Sequence, residues 1–310
     1  IYTLWHTLSL HDALPIYVWD DNTHETGGGA TEKWQRTLAG SNVRNKAAVN
    51  PDTGDVYITN DNTASDPDGF VFGLDADTGS NLFSPINLLD NSYTSPVIGA
   101  TGTVFAGSDF NGYNPFGGLN PGGGDINAIR ANGSFLDYVT VLSDVRTSPA
   151  VDRNDVVYFG TNVNDDNFYA FRFNGSSFSQ KWSYSLGPVD VPGTAALSPD
   201  ESTVYFVCED PFGSTTDGYT NFFLYALNTA DGSQKWRFNL LGPSESSPAV
   251  AANGTVYVAS DGVSNIGHLF AVNPDGSQKW RYDFSPTNPR TRPAVITRPI
   301  PIPPITSARR

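Results

Sequence analysis

The chain has 310 residues, of which 38% are hydrophobic and 13% aromatic, and its formal net charge is −14. So acidic a surface repels a phosphate backbone, which argues against a nucleic-acid partner. A single cysteine, Cys208, excludes an intramolecular disulfide and is expected to be a buried thiol. No apolar run reaches the ~18 residues of a membrane-spanning helix.

The first residues differ in character from the rest. The stretch TLSLHDALPI (7–16) resembles one reading frame of a sequencing adapter, as do the neighbouring residues within 1–17, and the chain contains no methionine. We therefore expect residues 1–30 to be an artefact or an unstructured leader. Trp34, in TEKWQRTL, then occupies the fourth-strand position of a repeat copy whose first three strands are absent.

A repeat follows. Each copy opens with a small residue and an apolar partner, and the partners are Val49, Ile98, Val151, Leu197, Val250 and Val295, which gives a period of 45–53 residues. Three more short strands follow in each complete copy, as in TVYFV, then FLYALN, then a DG or TG turn and a strand with a large apolar residue.

Four short strands per unit at this period are typical of a β-propeller. We predict an all-β fold with four-stranded antiparallel blades, five of them complete, with partial blades at both ends, as in a truncated seven- or eight-bladed propeller. The large fourth-strand residues should pack between blades as plugs. These predicted plugs are Trp34, Phe83, Trp182, Trp236 and Trp280, and Leu136 holds the same position in one copy. The propeller domain spans 31–296, and the proline-rich residues 297–310 are expected to be disordered or artefactual.

The blades resemble pyrroloquinoline-quinone-like (PQQ-like) repeats. The best match is SPAVAANGTVYVASDG with HLFAVNPDGSQKWRYDF, from Ser247 onward, and the pattern of Ala226, Gly232 and Trp236 is similar to the tryptophan-docking motif of that family. The resemblance covers about 31–296. It implies kinship with quinone-dependent dehydrogenases, which need PQQ, calcium and an Asp base, and with non-catalytic assembly propellers. This chain lacks the adjacent cysteines that many alcohol-oxidising members carry.

Two loop sets should open on one face around the channel mouth. One set precedes the first strands and places Arg44, Tyr93, Arg146, Glu245 and Arg290 at one repeated position. These residues are predicted to bind a ligand, and the arginines among them are predicted to bind an anion. The alternative is that each arginine pairs with a neighbouring Asp.

The other set follows the second strands. In NDNTASDPDG, Asp61, Asp66 and Asp68 supply oxygen ligands that suit calcium, although their spacing is not that of an EF-hand. The alternative is that these residues form solvated turns.

The interpretation we favour is a non-catalytic, exported, monomeric propeller, periplasmic or at the cell surface, that acts as a binding or assembly scaffold for a protein or polysaccharide partner, with no cofactor. One alternative is a fragment of a PQQ-dependent alcohol or sugar dehydrogenase with PQQ and calcium. A second is a carbohydrate- or polymer-binding surface domain. No nucleophile motif accompanies the histidines, so no catalytic residue is assigned.

Overall fold

The structure is a computed structural model that describes residues 2–3, 15–20, 31–38, 41–42, 45–62, 69–88, 91–109, 113–114, 118–119, 124–162, 165–187, 189–209, 222–261 and 266–284. Within these ranges every regular element is a β-strand. The strands in chain order are β1 (Tyr2–Thr3), β2 (Pro15–Asp20), β3 (Thr31–Thr37), β4 (Ser41–Asn42), β5 (Ala48–Val49), β6 (Val56–Thr59), β7 (Asp61–Asn62), β8 (Phe70–Leu74), β9 (Ile86–Asn87), β10 (Val97–Ile98), β11 (Val104–Ser108), β12 (Tyr113–Asn114), β13 (Gly118–Leu119), β14 (Asp125–Ile129), β15 (Phe135–Thr140), β16 (Ala150–Val151), β17 (Val156–Gly160), β18 (Asn167–Phe173), β19 (Phe178–Ser185), β20 (Ala196–Leu197), β21 (Thr203–Cys208), β22 (Phe223–Asn228), β23 (Gln234–Asn239), β24 (Ala249–Val250), β25 (Val256–Ser260), β26 (His268–Val272) and β27 (Gln278–Asp283).

Five four-stranded antiparallel sheets confirm the predicted blades and the all-β propeller fold. Blades 1 to 5 have the strand orders β5-β6-β8-β9, β10-β11-β14-β15, β16-β17-β18-β19, β20-β21-β22-β23 and β24-β25-β26-β27. We call the four strands of a blade a, b, c and d in that order. Strand b of each blade is largely buried, because the sheets pack face to face on their neighbours.

The hydrophobic cores lie between the blades rather than within them. One core joins blades 3 and 4 through Phe168 and Phe206, whose ring centroids are 3.8 Å apart. Another joins blades 4 and 5, where Leu224 of one blade packs with Phe270 of the next. Two further cores join blades 1 and 2 and blades 2 and 3. Each blade therefore depends on its neighbours for burial of its apolar faces.

Three of the predicted plugs contact the following blade in the same way. The Nε1–H of Trp182 donates to the carbonyl of Thr229 at 2.9 Å, and its ring lies against Gly232 so closely that a Cβ on that glycine would be 2.7 Å from the ring. Gly232 also has φ of +76°, so two independent constraints require glycine there. The same pair of contacts is made by Trp34 and Trp236, with Ala76 and Pro274 as the acceptors and Gly79 and Gly276 beneath the rings.

The other fourth-strand residues differ. Phe83 lies against Gly133 of blade 2 without a polar contact of this kind. In blade 2 the register places Asp137, and not the predicted Leu136, opposite Ala128 at the plug position, and its Oδ2 accepts the backbone N–H of Phe178 at 2.8 Å. The room left without a ring is filled from the opposite side, where Phe173 and Phe178 of blade 3 pack on Phe105 of blade 2 at 5.6 and 5.9 Å between ring centroids. Trp280 of blade 5 is 40% exposed.

An alanine faces the tryptophan plug within each of blades 3, 4 and 5. Ala226 pairs with Trp236, Ala170 with Trp182, and a register shift directly after each alanine accommodates the ring. The extra residue of such a bulge increases local twist and re-aims the side chain. The alanines of the repeat are therefore explained by the space the tryptophan needs.

The N-terminal sheet contains two strands that the sequence pattern did not show. β1, β2 and β3 form a three-stranded antiparallel sheet, in which Val18 pairs with Trp34 as Ala226 pairs with Trp236. Residues 15–20, which the sequence analysis placed in a leader, thus pair with the strand that carries Trp34. The domain boundaries remain predictions, and residues 297–310 lie outside the described residues.

Candidate functional site at the mouth face

The a strands of neighbouring blades are linked by a repeated hydrogen bond. The backbone N–H of Lys46 donates to Oγ of Ser95 at 2.9 Å, that of Ser95 to Oγ of Ser148 at 2.7 Å, and that of Thr194 to Oγ of Ser247 at 3.0 Å. The serine of the repeated SP sequence is therefore a link between blades. It fixes the spacing of the loops that precede the a strands.

In an antiparallel blade the b–c loop and the loop that leads from strand d to the next strand a emerge at the same end. We call this end the mouth face, and the end with the a–b and c–d turns the opposite face. Of the five residues predicted to bind a ligand, Tyr93, Arg146 and Glu245 belong to the described part of the mouth face. Arg44 and Arg290 lie outside the described residues.

Arg146 is the centre of a charged group between blades 2 and 3. The Nε of Arg146 lies 3.2 Å from Oδ2 of Asp109, and its Nη2 lies 2.9 Å from Oδ2 of Asp144. Its guanidinium carbon lies 5.6 Å from the centroid of the Tyr93 ring. Partial burial opposes the charge of Arg146, but the charges of Asp109 and then Asp144 outweigh it and raise the pKa of Arg146. Pairing with Asp is the alternative to anion binding, and Arg146 pairs with Asp109 and Asp144 in this way.

Glu209 is the centre of a second, acidic group between blades 4 and 5. Its Oε2 accepts the backbone N–H of Ser244 at 3.1 Å, and its backbone pairs with that of Asp190. Burial raises the pKa of Glu209, and the negative charges of Glu245, Asp190 and Asp261 raise it further. The predicted residue Glu245 thus belongs to a region of negative potential, which favours a cationic partner.

Two leucines on the mouth face are exposed. Leu142 follows β15 and is 72% exposed, and Leu241 follows β23 and is 42% exposed. The residue before each of them, Val141 or Leu240, is buried. The exposed leucines lie two to four residues from Asp144, Arg146 and Glu245, so the mouth face combines apolar and charged groups.

The calcium prediction is not tested by the described side chains. Asp61 lies in β7, whose backbone pairs with β4, while Asp66 and Asp68 lie outside the described residues. Among the residues that the structure describes, no group of three or more His, Cys, Asp or Glu is arranged to hold a metal ion. PQQ and calcium therefore stay predictions from the family resemblance. Cys208 is buried, and burial raises its pKa to about 12, so its thiol is not a nucleophile at neutral pH.

Residues 215–301 match the PQQ-like repeat family model described as outer membrane protein assembly factor BamB. This match covers less than a third of the chain, and the five described blades form a β-propeller. No curated protein matches it in sequence. The described part of the chain contains no helix with the length and apolarity to cross a bilayer.

Three solved structures are similar to the chain in fold. The crystal structure of BamB from Moraxella catarrhalis has a TM-score of 0.58 and 16% identity, and the match covers 91% of this chain and 76% of that one. A europium-containing methanol dehydrogenase has a TM-score of 0.62 and 14% identity, and the match covers 91% of this chain and 69% of that one. A protein from Lactobacillus plantarum has a TM-score of 0.59 and 15% identity, covering 87% and 78%. At these identities the likeness shows the fold alone.

Proposed function

We propose that this PQQ-like propeller is a non-catalytic binding or assembly scaffold, exported to the periplasm or cell surface, that binds a protein partner through its mouth face. The observation that carries the proposal is the composition of that face, where exposed Leu142 and Leu241 lie near the Arg146 group and the acidic Glu209 group. The match of residues 215–301 to an assembly-factor family model supports both the role and the compartment.

The chemistry of the mouth face indicates what the partner presents. Exposed leucines favour an apolar segment on the partner, since exposed apolar groups rimmed by charge are typical of protein interfaces. The acidic groups of Glu209 and Glu245 favour lysine or arginine beside that segment. We therefore propose a partner segment that is both apolar and basic.

Affinity capture with charge-matched variants tests this proposal. The purified chain is immobilised and exposed to an extract of the source cells, in parallel with the double variant Glu209→Gln/Glu245→Gln and the control Asp77→Asn/Asp231→Asn. The control also removes two negative charges, from c–d turns on the opposite face, at Asp77, which pairs with Lys33, and at Asp231. We expect wild type and control to retain the same protein and the mouth variant to retain at least about tenfold less of it.

Retention that is equal for all three chains would contradict binding through the mouth face. Retention of glycans instead of a protein, measured by binding the same three chains to a polysaccharide panel, would favour the carbohydrate-binding alternative. Reduction of a redox dye by the chain with added PQQ, calcium and an alcohol would contradict a non-catalytic role.

A further inference from the structure

A groove of about 580 Å³ opens on the opposite face, away from the mouth. It is lined by the a–b turns of blades 1 and 2, by the c–d turn of blade 2 and by Leu136, and it extends to Gly175 of blade 3. Its volume lies within the range of small-molecule sites. The Cβ direction of Gly175 meets no atom within 4 Å, which agrees with an open groove at that end.

Blade 2 departs from the repeat where it lines this groove. The residue that begins the c–d turn is Asp75 in blade 1, Asn228 in blade 4 and Asn273 in blade 5, and Asp75 and Asn228 accept backbone N–H groups of their own turns. In blade 2 this residue is Arg130, whose side chain carries donors only and cannot accept a hydrogen bond. Asn132 accepts the N–H of Ser134 at 3.0 Å, as Asp231 does for Ser233 in blade 4 and Asp275 does for Ser277 in blade 5. Blade 2 therefore keeps this turn bond without an acceptor side chain at the first turn residue. Local turn stability therefore does not explain the arginine.

A second departure lines the same groove. Asp137 holds the register position that an aromatic plug holds in the other blades, and its neighbour Leu136 lines the groove, so no ring from blade 2 lies over the turn of blade 3. The junction beneath is closed instead by Phe173 and Phe178 packed on Phe105. Two breaks in a repeated pattern at one site are typical of a functional position, because the packing pattern alone would restore the consensus residues.

The groove presents one cation and one anion that are not paired with each other. Arg130 and Asp52 both line it, and neither side chain forms an ion pair with any described residue. Asn50 and Thr101 add amide and hydroxyl groups, and Leu136, Ala100 and Ala131 add an apolar wall. A free guanidinium suits a carboxylate, and a free carboxylate suits an ammonium.

We propose that this groove binds a small zwitterion of the α-amino acid class with an apolar side chain. The ligand's carboxylate contacts Arg130, its ammonium contacts Asp52, and its side chain packs on Leu136. The site is separate from the mouth face, so the proposal stands or falls independently of the proposed function.

Saturation-transfer NMR and calorimetric titration of the whole chain with L-leucine, L-valine and L-phenylalanine test the site. We expect at least one of them to bind saturably. For that amino acid, its amide lacks the carboxylate and its N-acetyl derivative lacks the ammonium, and each should bind at least about tenfold more weakly. Arg130→Gln should weaken the amino acid and the N-acetyl derivative but not the amide, and Asp52→Asn should weaken the amino acid and the amide.

The matched control is Arg172→Gln, which removes an exposed arginine of blade 3 outside the groove. It should bind as wild type does, and the melting temperature of each variant checks that the fold is intact. The proposal is overturned if none of the three amino acids binds, or if Arg130→Gln binds them as tightly as wild type. Equal binding of the amino acid and its N-acetyl derivative, unchanged by Asp52→Asn, would overturn recognition of a zwitterion.

Discussion

Docking of a tryptophan on the next blade can be measured by comparing Trp182→Ala with Trp280→Ala. Trp182 also lies 6.2 Å from the ring of Phe168, and both rings lie 5.8 Å from the ring of a strand-b tyrosine in their own blade, Tyr158 or Tyr257. They differ towards the following blade. Trp182 is 7% exposed and donates to the Thr229 carbonyl at 2.9 Å, whereas Trp280 is 40% exposed.

The expected difference follows from these values. Trp182 buries about a third more of its ~200 Å² side chain than Trp280 does. At ~25 cal/mol per Å², this extra buried area stabilises the fold by about 1.6 kcal/mol. The indole hydrogen bond adds about 1 kcal/mol. Trp182→Ala should therefore lower the free energy of unfolding by about 4 kcal/mol, and Trp280→Ala by about 1.5 kcal/mol.

Urea unfolding followed by far-UV circular dichroism gives both values, since a fluorescence probe would be altered by the substitutions. The m-value checks that each variant unfolds in the same cooperative transition as wild type. Equal losses for Trp182→Ala and Trp280→Ala, or a loss under about 1 kcal/mol for Trp182→Ala, would refute docking between blades as a main source of stability.

Three further predictions concern single sites. Burial raises the pKa of Glu209 above its value in the unfolded chain, so the folded state binds the proton more tightly, and its stability falls as the pH rises between those two pKa values. Glu209→Gln should therefore raise the melting temperature at about pH 7 and change it little near pH 4. An equal change in melting temperature at both pH values would contradict this. Asp155 has φ of +54° and a buried Oδ1 without a hydrogen bond, so Asp155→Asn should stabilise the chain by about 0.5–1 kcal/mol in urea unfolding, and a loss of stability would show that the carboxylate is needed. Ser148→Ala removes the bond from the Ser95 N–H and should cost about 1 kcal/mol, while Ser176→Ala in an exposed turn should cost less than half of that.

The blades could be predicted from the sequence because their determinants are local and repeated. Short apolar strands, a glycine turn and a large residue recur at one period. A turn glycine such as Gly232 and a tryptophan such as Trp236 play the same packing roles in each blade where they occur. The junction between blades 2 and 3 could not be predicted in this way. The sequence shows that the ring is missing in blade 2, but it assigned the plug position to Leu136 rather than to Asp137. Only the structure shows Phe173 and Phe178 packing from the other blade.

The mouth face was predictable only in its location. The strand order places the b–c and d–a loops at one end, so Tyr93, Arg146 and Glu245 were expected there. The partners Asp109 and Glu209 come from b–c loops of variable length, and no periodicity relates them to the d–a loops they approach. One sequence signal for these partners was available, because an acidic residue directly follows strand b in three blades, at Asp109, Glu209 and Asp261.

Site-specific photo-crosslinking tests the scaffold role most directly. A benzophenone amino acid replaces Leu142 or Leu241 on the mouth face, or exposed Ala230 or Ala252 on the opposite face, in chains expressed in the source cells. We predict that irradiation joins the same partner protein to both mouth positions and to neither opposite-face position. Crosslinks confined to Ala230 and Ala252, or no crosslink at either leucine, would contradict a propeller that binds its partner through the mouth face.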